Sequence, residues 1–295
     1  MKKYLAIDIG GTNIKYAEIE ETGNIVRKDK IKTPKDRESF LSAVDRIVTR
    51  HRKNVSGIAV CAPGKIDGTT IRFGGALPFL DGVDLASEYA GPDFPVAVIN
   101  DGKAGVLAEH WLGNLKGSRD CAAVILGTGV GGGIIVNGNL VAGSHFQAGE
   151  LSFMDLDENA GGMDGTAGQS LSAVGMIVSI NRAVGNADEK DGLAAFEAVT
   201  DGNEKACAIL EKYCHGVAVL ILNVQSVVDL EKYVIGGGIS AQPALIEGIN
   251  RAYDGIIAEN EAVASTLTRP EIVTAAFRND ANLYGALYNL LEGVK

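Results

Sequence analysis

The chain opens with two apolar stretches separated by a glycine-rich break. Tyr4–Ile9 is continuously apolar apart from Asp8 and predicts a buried strand, and Asn13–Ile19 alternates as a partner strand would. Gly10-Gly11-Thr12 lies between them and suits a tight turn, because glycine reaches turn conformations without strain. The first predicted element is therefore a β-hairpin.

Strands and helices then alternate over the first hundred residues. Apolar positions within 40–48 recur at helical spacing, which predicts a helix. Two short apolar strands are predicted at 55–62 and 94–99, and the second leads through Asn100-Asp101 into a helical stretch over 104–111. This alternation is typical of an α/β fold.

The same plan restarts in the second part of the chain. Apolar strands at 122–126 and 134–136 flank the glycine-rich turn 127–133 and predict a second hairpin. Helical spacing follows at 209–220, a short strand at 233–235 runs into Gly236–Gly238, and 281–291 predicts a closing helix. Two similar halves predict a duplicated fold around a cleft. We place the boundaries at 1–112 plus 283–295 for a small N-terminal domain and 113–282 for a large domain.

Composition excludes several classes of protein. The 295 residues are 46% hydrophobic and 22% charged, which argues against disorder and coiled coils. Lys and Arg number 27 against 37 Asp and Glu, so the formal charge of −10 offers no basic footprint for nucleic acid or an anionic membrane. Four cysteines without a CxxC pair favour free thiols, and the longest apolar run contains Asn223 and Gln225. These features predict a soluble cytoplasmic protein with no nucleic-acid or membrane partner.

Glycine turns between strands expose backbone N–H groups, which is the requirement for close contact with a phosphate. Each of the three turns alone is equally typical of a purely structural turn. Asp8 adds to the signal, because a carboxylate within an apolar strand is costly unless it faces a cation, water or a donor. None of the turns has the GxxxxGK[ST] pattern, and no GxGxxG opens a helix, so P-loop and dinucleotide sites are excluded.

Four segments in this order resemble motifs of the ROK family of sugar kinases and sugar-responsive repressors: 7–13, Asn100-Asp101, 126–133 and 234–240. The ending at 279–286 is also similar. The resemblance implies an actin-like, ribonuclease-H-like fold of two α/β domains, with ATP and sugar meeting in the cleft between them. It implies an ATP-dependent kinase that uses Mg-ATP to phosphorylate the 6-hydroxyl of glucose or a β-glucoside.

The resemblance assigns a role to each matching residue. Asp101 corresponds to the catalytic base that accepts the proton of the sugar hydroxyl, and Asn100 to a sugar-hydroxyl ligand. Asn100-Asp101 also suits a helix N-cap, and both readings can hold together. A position for Mg²⁺ near Asp8 is expected. The residues assigned to ATP binding are Asp8, Gly10, Gly11, Thr12, Lys15, Gly127, Thr128, Gly129, Gly236, Gly237 and Gly238.

The sequence departs from the family pattern where most members have a zinc-binding histidine and cysteine cluster. Glu150 is retained and keeps its role as a sugar-hydroxyl ligand, but Phe153 stands in the place of the histidine. The segment 161–170 contains no cysteine, and the four histidines are scattered singly, so no zinc site is expected.

In the family, that histidine and the glutamate that closes the cysteine cluster face the anomeric end of the hexose, so their absence here implies a sugar pocket that is open at that end. Such a pocket would accept a β-glucoside or a disaccharide, with Phe153 or Phe79 as an apolar face for the second unit. Alternatively, Phe153 fills space left by the missing zinc loop. The asparagine usual near Ala76 is also missing, which removes one further sugar contact.

Other substrates and another class of function stay open. Fructose and N-acetylmannosamine are alternative acceptors, and a non-catalytic sugar-sensing regulator is the rival outside the enzymes. A DNA-binding repressor is disfavoured because no basic helix precedes the first glycine motif. The family resemblance implies a homodimer.

Overall fold

The computed structural model of the chain describes residues 1–277 and 280–293. The described residues form two compact units. Unit 1 comprises 1–116, 140–148 and 280–293, and unit 2 comprises 117–139 and 149–277. The domain boundaries given above stay a prediction, and their last two residues, 294–295, lie outside the described chain.

Unit 1 is built on a mixed five-stranded sheet in the order β3-β2-β1-β4-β8. β1 and β2 are antiparallel, with Ile9 opposite Ile14, and β1, β4 and β8 run parallel. A small antiparallel sheet, β5-β6-β7, follows β4. The strands are β1 (Lys3–Ile9), β2 (Asn13–Glu20), β3 (Ile25–Lys32), β4 (Ile58–Ala62), β5 (Lys65–Asp67), β6 (Thr70–Arg72), β7 (Val83–Asp84) and β8 (Val96–Asn100).

The helices of unit 1 are α1 (Arg37–His51), α2 (Leu85–Tyr89), α3 (Asp101–Leu112) and α10 (Ala281–Gly293), with 3₁₀ turns at Arg52–Asn54 and Pro78–Leu80. The apolar face of α1 packs on the sheet, where Phe40 and Val44 are buried with Leu5 and Ile7. α10 packs against α3, and a Cβ on Gly285 would overlap the Ala104 carbonyl. That close approach requires glycine.

Unit 2 repeats the sheet plan in the order β11-β10-β9-β12-β13. β9 and β10 are antiparallel, with Leu126 opposite Val130, and β9, β12 and β13 run parallel. The strands are β9 (Cys121–Leu126), β10 (Val130–Val136), β11 (Asn139–Leu140), β12 (Lys232–Gly236) and β13 (Glu271–Thr274). When the strands of each sheet are counted along the chain, both sheets have the same spatial order: third, second, first, fourth, fifth. This repeat is the duplication that the two hairpins predicted.

Helices cover the sheet of unit 2. They are α4 (Ala167–Ser170), α5 (Ala173–Val184), α6 (Gly192–Thr200), α7 (Glu204–Val228), α8 (Pro243–Ala258) and α9 (Glu261–Thr266), with a 3₁₀ turn at Leu151–Phe153. α7 is long and apolar enough, by length and composition, to cross a membrane. Its buried side chains, including Leu210, Val217 and Ile221, belong to the core of unit 2, as expected of a central helix in a globular domain.

Most predicted elements are confirmed, with shifts at their ends. The strand predicted from Val55 begins at Ile58, because Arg52–Asn54 forms a 3₁₀ turn after α1 and the chain must first turn into the sheet. The helix predicted over 104–111 begins earlier, at Asp101, directly after β8. The closing helix is α10.

Candidate active site

The predicted site residues of unit 1 lie at one edge of its sheet. The parallel strands β1, β4 and β8 end there, with Asp8 beside Cys61 and Cys61 beside Ile99. Ligands of α/β sheets bind outside the carboxyl ends of parallel strands. The register therefore brings the first glycine turn and Asn100-Asp101 to the edge at which such a ligand would bind.

Asp8 is only 5% exposed, yet both of its carboxylate oxygens have partners. Asn282 Nδ2 donates to Oδ1 at 3.0 Å, and Lys15 Nζ lies 3.3 Å from Oδ2. A buried carboxylate needs such partners. Asn282 was not predicted as a site residue, and its only sequence signal is its place in the C-terminal segment that resembles the family.

Asn100 caps α3, as its interpretation as a helix N-cap predicts. Its Oδ1 accepts from the N–H groups of Gly102 at 2.9 Å and Lys103 at 3.4 Å. Its Nδ2 donates to the Gly64 carbonyl at 2.9 Å. The cap places Asp101 as the first residue of α3, where its Oδ1 accepts from the Gly102 N–H at 2.8 Å.

The Asp101 carboxyl keeps solvent access, although many protein atoms surround it. Partial loss of water raises the pKa of this carboxyl, and the negative charge of Asp8 raises it further. The hydrogen bond from the Gly102 N–H acts in the opposite direction. The net effect is a raised pKa, which makes Asp101 a stronger base than an ordinary aspartate.

A backbone hydrogen bond closes the first glycine turn, in which the Gly10 N–H donates to the Asn13 carbonyl at 3.0 Å. Gly11 is partly exposed and Thr12 is exposed.

Burial raises the pKa of the neighbouring Cys61 thiol well above its usual range, and the charges of Asp8 and then Asp101 add to this effect. The negative charges of Asp8 and Asp101 therefore both act on the Cys61 thiol.

Two predicted glycine turns of unit 2 lie side by side. In the second turn of the chain, the Gly127 N–H donates to the Gly129 carbonyl at 2.9 Å. Gly237 has φ +101°, and a Cβ there would overlap the Leu126 carbonyl oxygen. Gly236 packs against Ile125. Gly237 and Gly236 thus hold β12 close to β9, whereas Gly238 has open space around it.

A cavity of about 650 Å³ opens in unit 2 beside these turns. That volume is in the usual range for a small-molecule site. Of the predicted residues, Gly127, Thr128 and Gly238 line it. Its other lining residues are Leu126, Ala173, Val174, Ile177, Asp188, Lys190, Asp191, Gly192, Leu193, Phe196, Ile239 and Gln242. Leu126 and Ile239 lie in the glycine-rich segments 126–133 and 234–240. Sequence reasoning missed the others, because they come from α5, α6 and the segments that precede α6 and α8 and share no motif.

The predicted sugar residues Glu150 and Phe153 also belong to unit 2. Glu150 precedes the 3₁₀ turn Leu151–Phe153, and the Leu151 side chain packs against Gly132 of β10. Phe153 is 64% exposed. An exposed aromatic ring is available to a ligand. The Phe79 ring of unit 1, by contrast, is half-buried and packs edge-on against Phe40.

Within the described residues, no group of three His, Cys, Asp or Glu side chains is arranged to hold a metal ion. The absence of zinc stays a prediction from the sequence. The four cysteines are unpaired, and Cys61, Cys121 and Cys214 are buried. A separate groove of about 500 Å³ between α7 and α8 is lined by none of the predicted site residues.

The chain is similar to known proteins over nearly its whole length. The ROK family model matches residues 4–292 of the chain. The chain belongs to the ROK family. A beta-glucoside kinase of Listeria monocytogenes serovar 1/2a is 28% identical over 296 residues, covering 98% of each chain. An N-acetylmannosamine kinase of Haemophilus influenzae strain 86-028NP is also 28% identical and covers 96% of this chain and 94% of the relative.

The fold is shared with solved ROK structures. The crystal structure of a ROK family protein from Streptococcus pneumoniae TIGR4, in complex with sucrose, superposes with a TM-score of 0.87 at 29% identity. It covers 99% of both chains. The predicted actin-like α/β fold is confirmed, and the chain is a carbohydrate kinase like its named relatives.

Proposed function

We propose that this ROK kinase transfers the γ-phosphoryl group of Mg-ATP to the 6-hydroxyl of glucose or of a β-glucoside. The hydroxyl oxygen attacks the γ-phosphorus, the bond to ADP breaks, and the hydroxyl proton passes to Asp101. A sugar 6-phosphate and ADP leave.

The observation that carries this proposal is the position of Asp101. The Asn100 cap holds it at the start of α3, at the same sheet edge as the first glycine turn. Its raised pKa suits a group that must accept a proton near neutral pH. A base with this placement is worth roughly 10²- to 10⁴-fold in rate.

We assign the nucleoside end of ATP to the cavity of unit 2. Val174, Ile177 and Leu193 offer apolar surface for a flat base, and Leu193 is 76% exposed. Gly127 and Thr128 stand at the same cavity, where backbone N–H groups suit phosphate oxygens. In unit 1, Gly10, Gly11 and Thr12 supply the corresponding turn. Lys15 and Asp8 pair with each other, so this pair is the proposed contact region for the phosphate-bound Mg²⁺.

A β-glucoside or disaccharide acceptor is supported by the exposed Phe153 ring and by the relatives. The L. monocytogenes relative is a beta-glucoside kinase, and the S. pneumoniae structure contains the disaccharide sucrose. We assign Glu150 and Asn100 to sugar hydroxyls and Phe153 to the second sugar unit. N-acetylmannosamine is the second candidate acceptor, because the H. influenzae relative is named for it.

We also propose that the enzyme is a cytoplasmic homodimer that requires Mg²⁺ but no zinc, and that it has no nucleic-acid or membrane partner. Four unpaired cysteines and the net charge of −10 support the reducing compartment and the absence of polyanionic partners. The dimer follows from the family resemblance, and light scattering of the purified protein tests it.

The test measures ATP consumption with Mg²⁺ and a panel of glucose, cellobiose, gentiobiose, fructose, mannose and N-acetylmannosamine. We expect preference for a β-linked disaccharide over glucose and a product phosphorylated at the 6-position, identified by NMR. Asp101→Asn should bind sugar normally but lose about 10²- to 10⁴-fold in kcat.

Asp84→Asn is the matched control, because Asp84 caps α2 through the Ala86 and Ser87 N–H groups and asparagine caps equally well. An Asp101→Asn enzyme of normal activity would contradict the base assignment. Preference for N-acetylmannosamine would mean that this sugar is the acceptor in place of a β-glucoside. Sugar binding without ATP consumption would identify a non-catalytic regulator.

A further inference from the structure

The three carbonyl groups of the first glycine turn are all held from one side. The Gly10 carbonyl accepts from Thr33 Oγ1 at 2.6 Å, and the Gly11 carbonyl accepts from Lys35 Nζ at 3.0 Å. The Thr12 carbonyl accepts from the Thr33 N–H at 3.0 Å. The segment 33–35, directly after β3, therefore binds every carbonyl of the turn. We call these three hydrogen bonds the carbonyl clamp.

The clamp determines where the N–H groups of the turn point. In a trans peptide the carbonyl and the N–H of one unit point in opposite directions. Holding the Gly10 and Gly11 carbonyls against 33–35 thus turns the Gly11 and Thr12 N–H groups away from that segment. Within the described chain, neither of these N–H groups donates to a protein acceptor. The Gly11 and Thr12 N–H groups can therefore donate to an external acceptor.

We propose that Thr33 and Lys35 are positioning residues for nucleotide phosphate binding, acting through the carbonyl clamp. The inference rests on the proposed function and deepens it. Thr33 binds two carbonyls, those of Gly10 and Thr12. Lys35 places a positive charge at the Gly11 carbonyl, which belongs to the same peptide unit as the Thr12 N–H. A cation on the carbonyl oxygen polarises the peptide unit and strengthens its N–H as a donor.

A purely structural role for the same contacts is the competing explanation. The Thr33 side chain is 4% exposed, and a buried hydroxyl needs a partner whatever its function. That requirement does not explain Lys35, because this side chain is exposed and water could solvate its ammonium fully. Lys35 nevertheless lies on the turn, where the negative charge of a polyphosphate would arrive.

The two explanations predict different effects on two ligands. Binding of Mg-ADP and of sugar is measured separately by titration calorimetry on the whole protein, with KM for Mg-ATP and for sugar as a second readout. We expect Thr33→Val to weaken Mg-ADP binding about tenfold, the worth of one buried hydrogen bond. Thr33→Ser retains the hydroxyl and should restore binding to within about twofold. Sugar affinity should stay unchanged in both.

Lys35→Met should weaken Mg-ADP binding about fivefold, with a smaller loss at high salt because the charge is exposed. Lys53→Met is the matched control, since Lys53 is an exposed lysine in the 3₁₀ turn Arg52–Asn54. It should leave binding of both ligands unchanged. If Thr33→Val fails to fold, Lys35→Met decides the question alone.

Equal Mg-ADP affinity in Thr33→Val, Lys35→Met and the unaltered protein would overturn the clamp and leave the proposed kinase function standing. Equal weakening of nucleotide and sugar binding would also overturn it, since that result indicates a general structural defect. An unaltered protein that bound no Mg-ADP would overturn the proposed function and the clamp together.

Discussion

The two glycine turns at the starts of the two sheets have the same topology but different support. Each joins the first and second strands of a sheet with the same strand order. In unit 1 the third strand, β3, has eight residues and continues into Thr33 and Lys35, whose side chains hold the turn. In unit 2 the third strand, β11, has only two residues.

The second turn is supported by backbone instead. The Gly127 carbonyl accepts from the Ala173 N–H at the start of α5 at 2.9 Å. Gly237 lies against the Leu126 carbonyl immediately before the turn. Side-chain support can be altered by one substitution without moving the chain, whereas backbone support depends on the packing of whole elements. The same fold plan therefore leads to different sensitivities, which can be measured.

The largest expected effect is on the backbone support of unit 2. Gly237→Ala places a Cβ into the Leu126 carbonyl at φ +101°, a conformation that alanine rarely adopts. We expect the free energy of unfolding of unit 2 to fall by more than about 4 kcal/mol, measured by urea denaturation. Gly238→Ala, with open space around its Cβ, should lose less than about 1 kcal/mol. Equal losses for the two variants would contradict the comparison.

A second difference lies in the second strands, because β2 has a buried carboxylate where β10 is apolar and glycine-rich. Glu18 Oε1 lies 2.5 Å from His51 Nδ1, and both side chains are buried. His51→Leu should lower the free energy of unfolding of unit 1 by about 3 kcal/mol, since it leaves the carboxylate unpaired.

The double variant Glu18→Leu/His51→Leu tests the cause of that loss. Removing both partners leaves no unpaired charge, so we expect most of the stability to return. Urea denaturation of both variants provides the measurement. A double variant less stable than His51→Leu would mean that packing, and not charge burial, sets the effect.

Unit 1 also has the candidate base, so the pH dependence of activity should report on it. Below the raised pKa of Asp101 the carboxyl is protonated and cannot accept the hydroxyl proton. We expect kcat/KM to fall about tenfold per pH unit on an acid limb that lies above the ordinary aspartate pKa of about 3.9. The Asp84→Asn control should keep that limb, and an activity independent of pH through this range would contradict the assignment.

The smallest expected effect is at the second turn itself. A Cβ on Gly127 would meet nothing closer than the Gly129 carbonyl oxygen at 4.0 Å. We therefore expect the free energy of unfolding of Gly127→Ala to lie within about 0.5 kcal/mol of that of the unaltered protein. The methyl group would crowd the proposed phosphate position, and we expect Mg-ADP binding to weaken about fivefold.

Gly255→Ala is the control for this variant, because Gly255 lies in α8 with open space around it. It should bind Mg-ADP normally and gain about 0.5–1 kcal/mol in stability from helix propensity. Unchanged Mg-ADP affinity in Gly127→Ala would remove the second turn from the phosphate site.

Local patterns account for what could be predicted. The hairpin around Gly10–Thr12 was predictable because strand alternation and turn glycines involve neighbours in sequence. Asn100 could be predicted as a cap for the same reason, since its acceptors lie two and three residues away. Asn282 could not be assigned to Asp8, because 274 residues separate them and only the packing of α10 brings them together.

The sequence by itself determined the α/β class and the two hairpins, because these depend on short-range spacing. Its motifs also identified the ROK family, and the resemblance to that family assigned the candidate base and the glycine turns. Tertiary structure decided which groups hold them: Asn282 on Asp8, Thr33 and Lys35 on the first turn, and Leu126 against Gly237. The physical reason is that a hydrogen bond or a steric contact depends on distance in space, which a linear pattern specifies only for residues within about a turn or a hairpin of each other.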